Sequence, residues 1–182
     1  MYLSYGNSKM SLPTWSLPSG PTCLGKTPLC YTHCYARKAE QQWPRVLPCR
    51  VQNYRDSLMR YFPLRMISMI KSRRGVRYVR IHEGGDFYSQ EYLDKWIYIA
   101  SALPDITFLT YTKCWGLDFS HTPGNFIHFW SVWTDTKGRP PEGLRAYSGD
   151  LPPNGRVFQC PHHCDPCMRC FTTRQDVWFP LH

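Results

Sequence analysis

Apolar positions along this chain change their spacing from one stretch to the next, and those changes predict its elements. Residues 1–22, broken by Gly6, Pro13, Pro18, Gly20 and Pro21, hold no sustained period and predict an irregular lead-in or short edge strand. Good helix formers from Cys34 to Gln42 predict a short helix, interrupted by Pro44 and Pro48, with a second helix from about Cys49 to Phe62. Pro63 stands where a third helix would begin. Gly75, after Lys71, Arg73 and Arg74, stands where it would end, with Leu64, Ile67 and Ile70 (and Met66) as its expected buried stripe.

The period then shortens. Residues 76–83, VRYVRIHE, predict a strand, Gly84-Gly85-Asp86 a turn and Ser89 an N-cap. Tyr92, Trp96, Ile99 and Leu103, broadened by Leu93, Ile97 and Ala100, form the apolar face of the helix that follows, and Pro104-Asp105 stops it. Strands are predicted over 106–112 and 126–133, loops over the Gly- and Pro-rich 134–153, and a closing strand over 176–180. The strand–helix–strand unit implies a parallel pair with a right-handed crossover.

The fold class expected is therefore α/β: a partial barrel or open, mostly parallel sheet with flanking helices and a C-terminal cysteine-rich loop. A length of 182 residues suits a single domain, and a complete eight-stranded barrel normally takes about 250. Within it lie a cysteine loop (23–34), a basic helical region (37–75), the β-α-β core (76–112), a further strand (126–133) and a second cysteine cluster (160–170). A 42% hydrophobic and 15% aromatic content argues for a packed globule over a disordered chain. The absence of a long apolar run points to a cytoplasmic protein with no membrane partner.

Charge sharpens one region. From Arg37 to Arg80 there are twelve Lys and Arg against Glu40 and Asp56, a surplus of ten, while the rest of the chain nets to −1. That surplus suggests an anionic partner such as a nucleic acid, against the plainer reading of a solvated basic face.

Seven of the nine cysteines fall in two clusters. Cys23, Cys30 and Cys34 share a loop with Pro21, Gly25 and Pro28; Cys160, Cys164, Cys167 and Cys170 follow within one short run. An odd total in tight clusters fits metal binding better than a disulfide framework. Three thiolates leave a fourth position open, the mark of a reactive centre. The C-terminal run resembles ferredoxin-type spacing, so a [4Fe–4S] cluster is expected there, with zinc as the alternative and His162 and His163 as substitute ligands. Cys49 and Cys114 read as small buried hydrophobes.

Parallel sheets bind ligands beyond the carboxyl ends of their strands. That rule selects His82 to Asp86, then Thr110, Thr112 and Lys113, then Ser131 and Trp133. Two adjacent glycines let a ligand approach the backbone, and Asp86 could accept from an ammonium or hydroxyl; the plainer reading is a tight turn in which Asp86 caps the next helix. His82 and His128, on strands, are expected as satisfied core histidines.

NSKMSLPTWSLPSGPTC, CYTHCYARK, VRIHEGGDFYSQEYLDKW, TFLTYTK and the closing cysteines with VWFPLH together resemble the bacteriophage gene product 88 family, along nearly the whole chain. That resemblance names a family without assigning an activity, and puts a phage-encoded member in the host cytoplasm. A second resemblance is to radical S-adenosylmethionine (SAM) enzymes, which place a three-cysteine loop near the first strand of a full or partial barrel. It implies that Cys23, Cys30 and Cys34 hold a [4Fe–4S] cluster whose open iron binds SAM. Gly84, Gly85 and Asp86 would then surround the SAM amino end, with Thr112 at the next strand end. The loop reads C-x6-C-x3-C where those enzymes use C-x3-C-x2-C, and Asp stands for their Glu. The C-terminal cysteines would then hold an auxiliary cluster, or complete one shared centre with Cys23 or Cys34. The remaining readings are a non-catalytic iron–sulfur or zinc protein that binds nucleic acid or a phage or host protein through Arg37–Arg80.

Overall fold

Among the described residues, seven strands form one open sheet in which every hydrogen-bonded neighbour runs parallel. They are β1 (Thr14–Trp15), β2 (Tyr78–Ile81), β3 (Thr107–Thr112), β4 (Phe126–Trp133), β5 (Arg145–Gly149), β6 (Phe158–Gln159) and β7 (Val177–Pro180), in the order β1-β2-β3-β4-β5-β7-β6. The described residues also form six α-helices, α1 (Pro28–Thr32), α2 (Tyr35–Gln42), α3 (Val46–Leu58), α4 (Phe62–Lys71), α5 (Gln90–Ser101) and α6 (Cys164–Cys167), and a short 3-10 turn over Arg169–Phe171. The computed structural model describes residues 1–7, 9–150 and 152–180. Ser8, Leu151, Leu181 and His182, from the lead-in, the loop-rich stretch and the closing motif, lie outside the described residues. No helix among the described residues is long and apolar enough to cross a membrane.

The expected β2–α5–β3 unit forms. Ser89 caps α5 by accepting the Tyr92 N–H at 3.2 Å. Tyr92, Leu93, Trp96, Ile99 and Ala100 are buried on its inner face. The lead-in ends in β1, a true edge strand held to β2 in the register Thr14–Arg80 and Trp15–Ile81.

Strands β2, β3 and β4 alternate between two cores, as the pleat requires. Val79 and Ile81 of β2 and Phe108 of β3 join the cluster under α4 and α5. Leu109, Ile127, Phe129, Ala146 and Val177 join the other, which is covered by Met10, Leu12 and Phe171. Trp15 and Phe62 centre the first cluster, their rings 5.3 Å apart, and Trp96 lies 5.7 Å from Phe62.

Three expectations are corrected. The buried stripe of α4 is Phe62, Met66 and Ile70, while Leu64 is 64% exposed and Ile67 only half-buried. The aromatic group around Phe62 sets the helix rotation, and Leu64 is carried outward with it. The stretch 134–153, expected to be loops, contains β5. Its small residues carry little strand signal, and hydrogen bonding to both β4 and β7 makes it a strand. The second predicted helix also starts earlier, at Val46, with Pro48 tolerated in the first turn where its missing N–H would lack an intrahelical acceptor.

The corrected stripe has a measurable consequence. Met66→Ala should cost about 2–5 kcal/mol in chemical denaturation, whereas Leu64→Ala should stay within about 0.5 kcal/mol of the parent. Equal losses would return Leu64 to the core.

A candidate thiol site at the strand ends

Asp86 ties the ends of β2 and β3 together. Its Oδ1 accepts the Phe87 N–H at 2.8 Å and the Thr112 hydroxyl at 2.7 Å, and its Oδ2 accepts the Lys113 N–H at 2.9 Å. Burial pushes the carboxyl above the ordinary carboxylate range, and these three donors pull against that rise. Thr112 in turn accepts the Cys114 N–H at 3.0 Å. Asp86 thus joins two strand ends, and the cap of α5 is left to Ser89.

The two glycines have neighbours of their own. A Cβ on Gly84 would stand 2.6 Å from the Arg50 guanidinium. One on Gly85, where φ is +82°, would stand 2.6 Å from Leu17 and 2.7 Å from the Thr22 hydroxyl. Gly84, Gly85, Asp86 and Thr112 are therefore packed together as the floor on which the first cysteine loop rests.

That loop crosses the carboxyl ends of three strands. Gly25 sits so close to Lys113 that a Cβ would reach its carbonyl oxygen at 2.2 Å. The Leu29 N–H donates to Asp135 just beyond β4 at 2.8 Å, and His33 stacks on Trp133 with ring centres 6.3 Å apart. Tyr35 donates to the Glu83 carbonyl at 2.9 Å. Cys34 caps α2, its sulfur accepting the Arg37 N–H at 3.4 Å. Cys23 feels the charges of Cys30, Cys34 and Asp86, and burial pushes its thiol up to about 11. Beside the loop opens a cavity of about 520 Å³ lined by Leu24, Gly25, Thr27, Lys113, Cys114 and Trp115 among others.

The second thiol group lies against the sheet face turned away from α4 and α5. Cys160 leaves β6 with its N–H on the Trp178 carbonyl, and the Cys164 N–H reaches the Lys9 carbonyl, each at 2.8 Å. Cys160, Cys164 and Cys170 pack in the second core with Tyr111 and Phe171. Burial pushes Cys160 up to about 11 and also raises Cys164 and Cys170; each feels the neighbouring thiols of its own group. Arg80 lowers Cys164 and Cys170, and the Tyr111 hydroxyl acts as a donor to Cys170.

All nine cysteines are free thiols. Coordination itself removes a thiol's proton, so thiols raised by burial can still serve as metal ligands. Among the described residues no three or more His, Cys, Asp or Glu side chains are already grouped to hold a metal ion. The thiols of each group would have to converge on loading, as metal sites coupled to local folding do. The donor chemistry fits an iron–sulfur cluster: three sulfurs in one loop, four in the other.

Cys114 matches its expectation, buried with its thiol donating to the Phe87 carbonyl and pushed up to about 12. His82 is a core histidine whose Nε2 lies 2.9 Å from the Tyr92 hydroxyl, which also accepts the Trp15 indole N–H at 2.9 Å. Arg80 and Tyr111 were not singled out from sequence. The available signal was an arginine in the middle of an apolar parallel strand, where both faces are normally covered.

Comparison with known proteins adds a family. The family model described as Gene product 88 matches residues 2–132, which include the first cysteine loop and exclude the second cluster. No curated protein matches the chain, and no solved structure does.

The buried histidines give this region a pH signature. Burial lowers His82 to about 3 and His128 to about 4, against about 6.5 in the unfolded chain. The unfolded state binds more protons in that window, so the stability they contribute is complete above pH 6.5 and lost as pH falls toward 3. Asp86 acts in the opposite direction, so the informative quantity is a difference between two proteins. Between pH 7.5 and 5, apoprotein carrying His82→Asn (Asn tolerates the φ of +62° at this position) should lose about 2 kcal/mol less than the parent. Parallel pH profiles would show that His82 is not held neutral.

Proposed function

The chain belongs to the gene product 88 family, and from its own side chains we propose that it is an iron–sulfur protein of radical-SAM-like design. Cys23, Cys30 and Cys34 would hold a [4Fe–4S] cluster with one open iron, and Cys160, Cys164, Cys167 and Cys170 a second cluster. The observation that carries this reading is the seating of a three-thiol loop across the carboxyl ends of parallel strands, on Gly85 and Lys113 and beside the cavity. When bound, an open-site cluster supplies an electron for reductive cleavage of a sulfonium such as SAM.

The chain's own residues hold and shield that position. Asp86 and Thr112 fix the strand ends, and with both carboxylate oxygens already accepting protein donors, Asp86 supports the floor more directly than it supports a SAM ammonium. Lys113, whose Nζ donates to the Ser131 hydroxyl at 2.9 Å and lies 5.7 Å from the Trp133 ring centre, supplies a cation at the same strand ends. Reduced thiols persist in a cytoplasmic setting, which is part of this proposal.

Anaerobic purification should yield protein containing iron and sulfide without zinc. Serine at Cys23, Cys30 and Cys34 should remove one cluster and leave the other; serine at Cys160, Cys164, Cys167 and Cys170 should do the reverse. Zinc in place of iron, or loss of all metal in both variants, would overturn the two-cluster reading.

A second reading concerns the basic region. Both of its acids turn inward: Glu40 pairs with Arg50 and Asp56 with the Met1 ammonium, at 2.8 and 2.7 Å. Lys38, Arg45, Arg55, Arg60, Arg65, Lys71, Arg74 and Arg77 are all exposed. The segment's own acids are thus drawn inward while these cations face outward, with exposed Asp105 sharing a cavity with Lys71 and Arg74; that balance favours a nucleic-acid partner. Binding to random-sequence DNA should weaken steeply with salt, and Arg60→Gln with Arg65→Gln should reduce the log–log slope by about 2. An affinity unmoved by salt would exclude this partner.

A further inference from the structure

We infer that Arg80 is the buried counter-cation of the C-terminal thiol group, holding the negative charge of a cluster bound by Cys160, Cys164, Cys167 and Cys170 and setting its reduction potential. This rests on the iron–sulfur reading of those four cysteines.

Arg80 projects from β2 on the face opposite Val79 and Ile81 and is only 9% exposed. Its guanidinium lies 4.0 Å from the centre of the Tyr111 ring, and that ring packs in the core that contains Cys160, Cys164 and Cys170. Its hydrogen bonds are two long ones to the His82 carbonyl, at 3.4 and 3.3 Å. Among the described residues, the carboxylates in ion pairs serve Met1, Arg50 and Lys95, and none serves Arg80. A buried guanidinium without an anion is costly, and it persists where an anion completes it.

The packing identifies where that anion lies: Tyr111, whose ring the guanidinium covers, shares its core with Cys160, Cys164, Cys170 and Phe171. Thiolate-ligated clusters carry net negative charge that grows on reduction, so a fixed cation beside them favours the reduced form. Tyr111 adds a hydroxyl donor to the Cys170 sulfur and, through its ring, keeps the guanidinium in place.

The test uses the full chain with Cys23, Cys30 and Cys34 replaced by serine, so that the remaining cluster is read alone by spectroelectrochemistry with iron and sulfide counts. Arg80→Gln should keep the cluster and shift its one-electron reduction equilibrium at least about tenfold toward the oxidised form, a fall of about 59 mV. Arg80→Lys should recover most of that shift. A Gln variant that retains its cluster at the parent's potential overturns the inference, as does a Lys variant that falls as far as Gln. Cluster loss in Arg80→Gln and Arg80→Met with retention in Arg80→Lys supports it, whereas loss in all three assigns Arg80 to packing and overturns it. A parent chain without iron and sulfide overturns the iron–sulfur reading as well, which separates the two failures.

Discussion

Three hydrogen bonds to the Asp86 carboxylate hold the candidate site in shape. They join the turn after β2 to the first residue after β3, and so fix the height at which both strand ends stop. The first cysteine loop is built onto that level: Gly25 against Lys113, Thr22 against Gly85, Tyr35 on the Glu83 carbonyl. A buried carboxylate raised by desolvation survives only where donors reach both of its oxygens, as they do here. The Gly-Gly-Asp turn is thus a packing solution first, and whatever ligand site it serves is shaped by that solution.

Both cysteine groups are organised by the same parallel sheet, at different places on it. The first crosses the carboxyl ends of the strands, where parallel sheets collect their ligands. The second packs on the face left uncovered by α4 and α5, with Arg80 and Tyr111 beneath it. The match to the gene product 88 family ends at residue 132, so it contains Arg80, Tyr111 and the first loop but none of the second group's cysteines.

Local signals made much of the fold legible. The Ser89 cap, the apolar face of α5 and the run of β3 are encoded within a few residues, and the expected strand–helix–strand unit follows from them. The α4 stripe and β5 depend on distant partners. Phe62 wins the helix rotation because the rings of Trp15, Tyr92 and Trp96 surround it, and Arg145–Gly149 is a strand because β4 and β7 flank it. For the site, the cysteine spacing named the candidate ligands. It carried no sign that Arg80, counted in the sequence as part of a basic surface, lies buried against Tyr111 of the second core.

The central claim is that the three-cysteine loop carries a cluster with an iron open to a small ligand. Electron paramagnetic resonance of the anaerobically reconstituted, reduced protein, recorded with and without SAM, tests it most directly. The account predicts a cluster signal whose g values shift when SAM is added, and no such shift once Cys23, Cys30 and Cys34 are serine. A signal that depends on those cysteines and ignores SAM would contradict it.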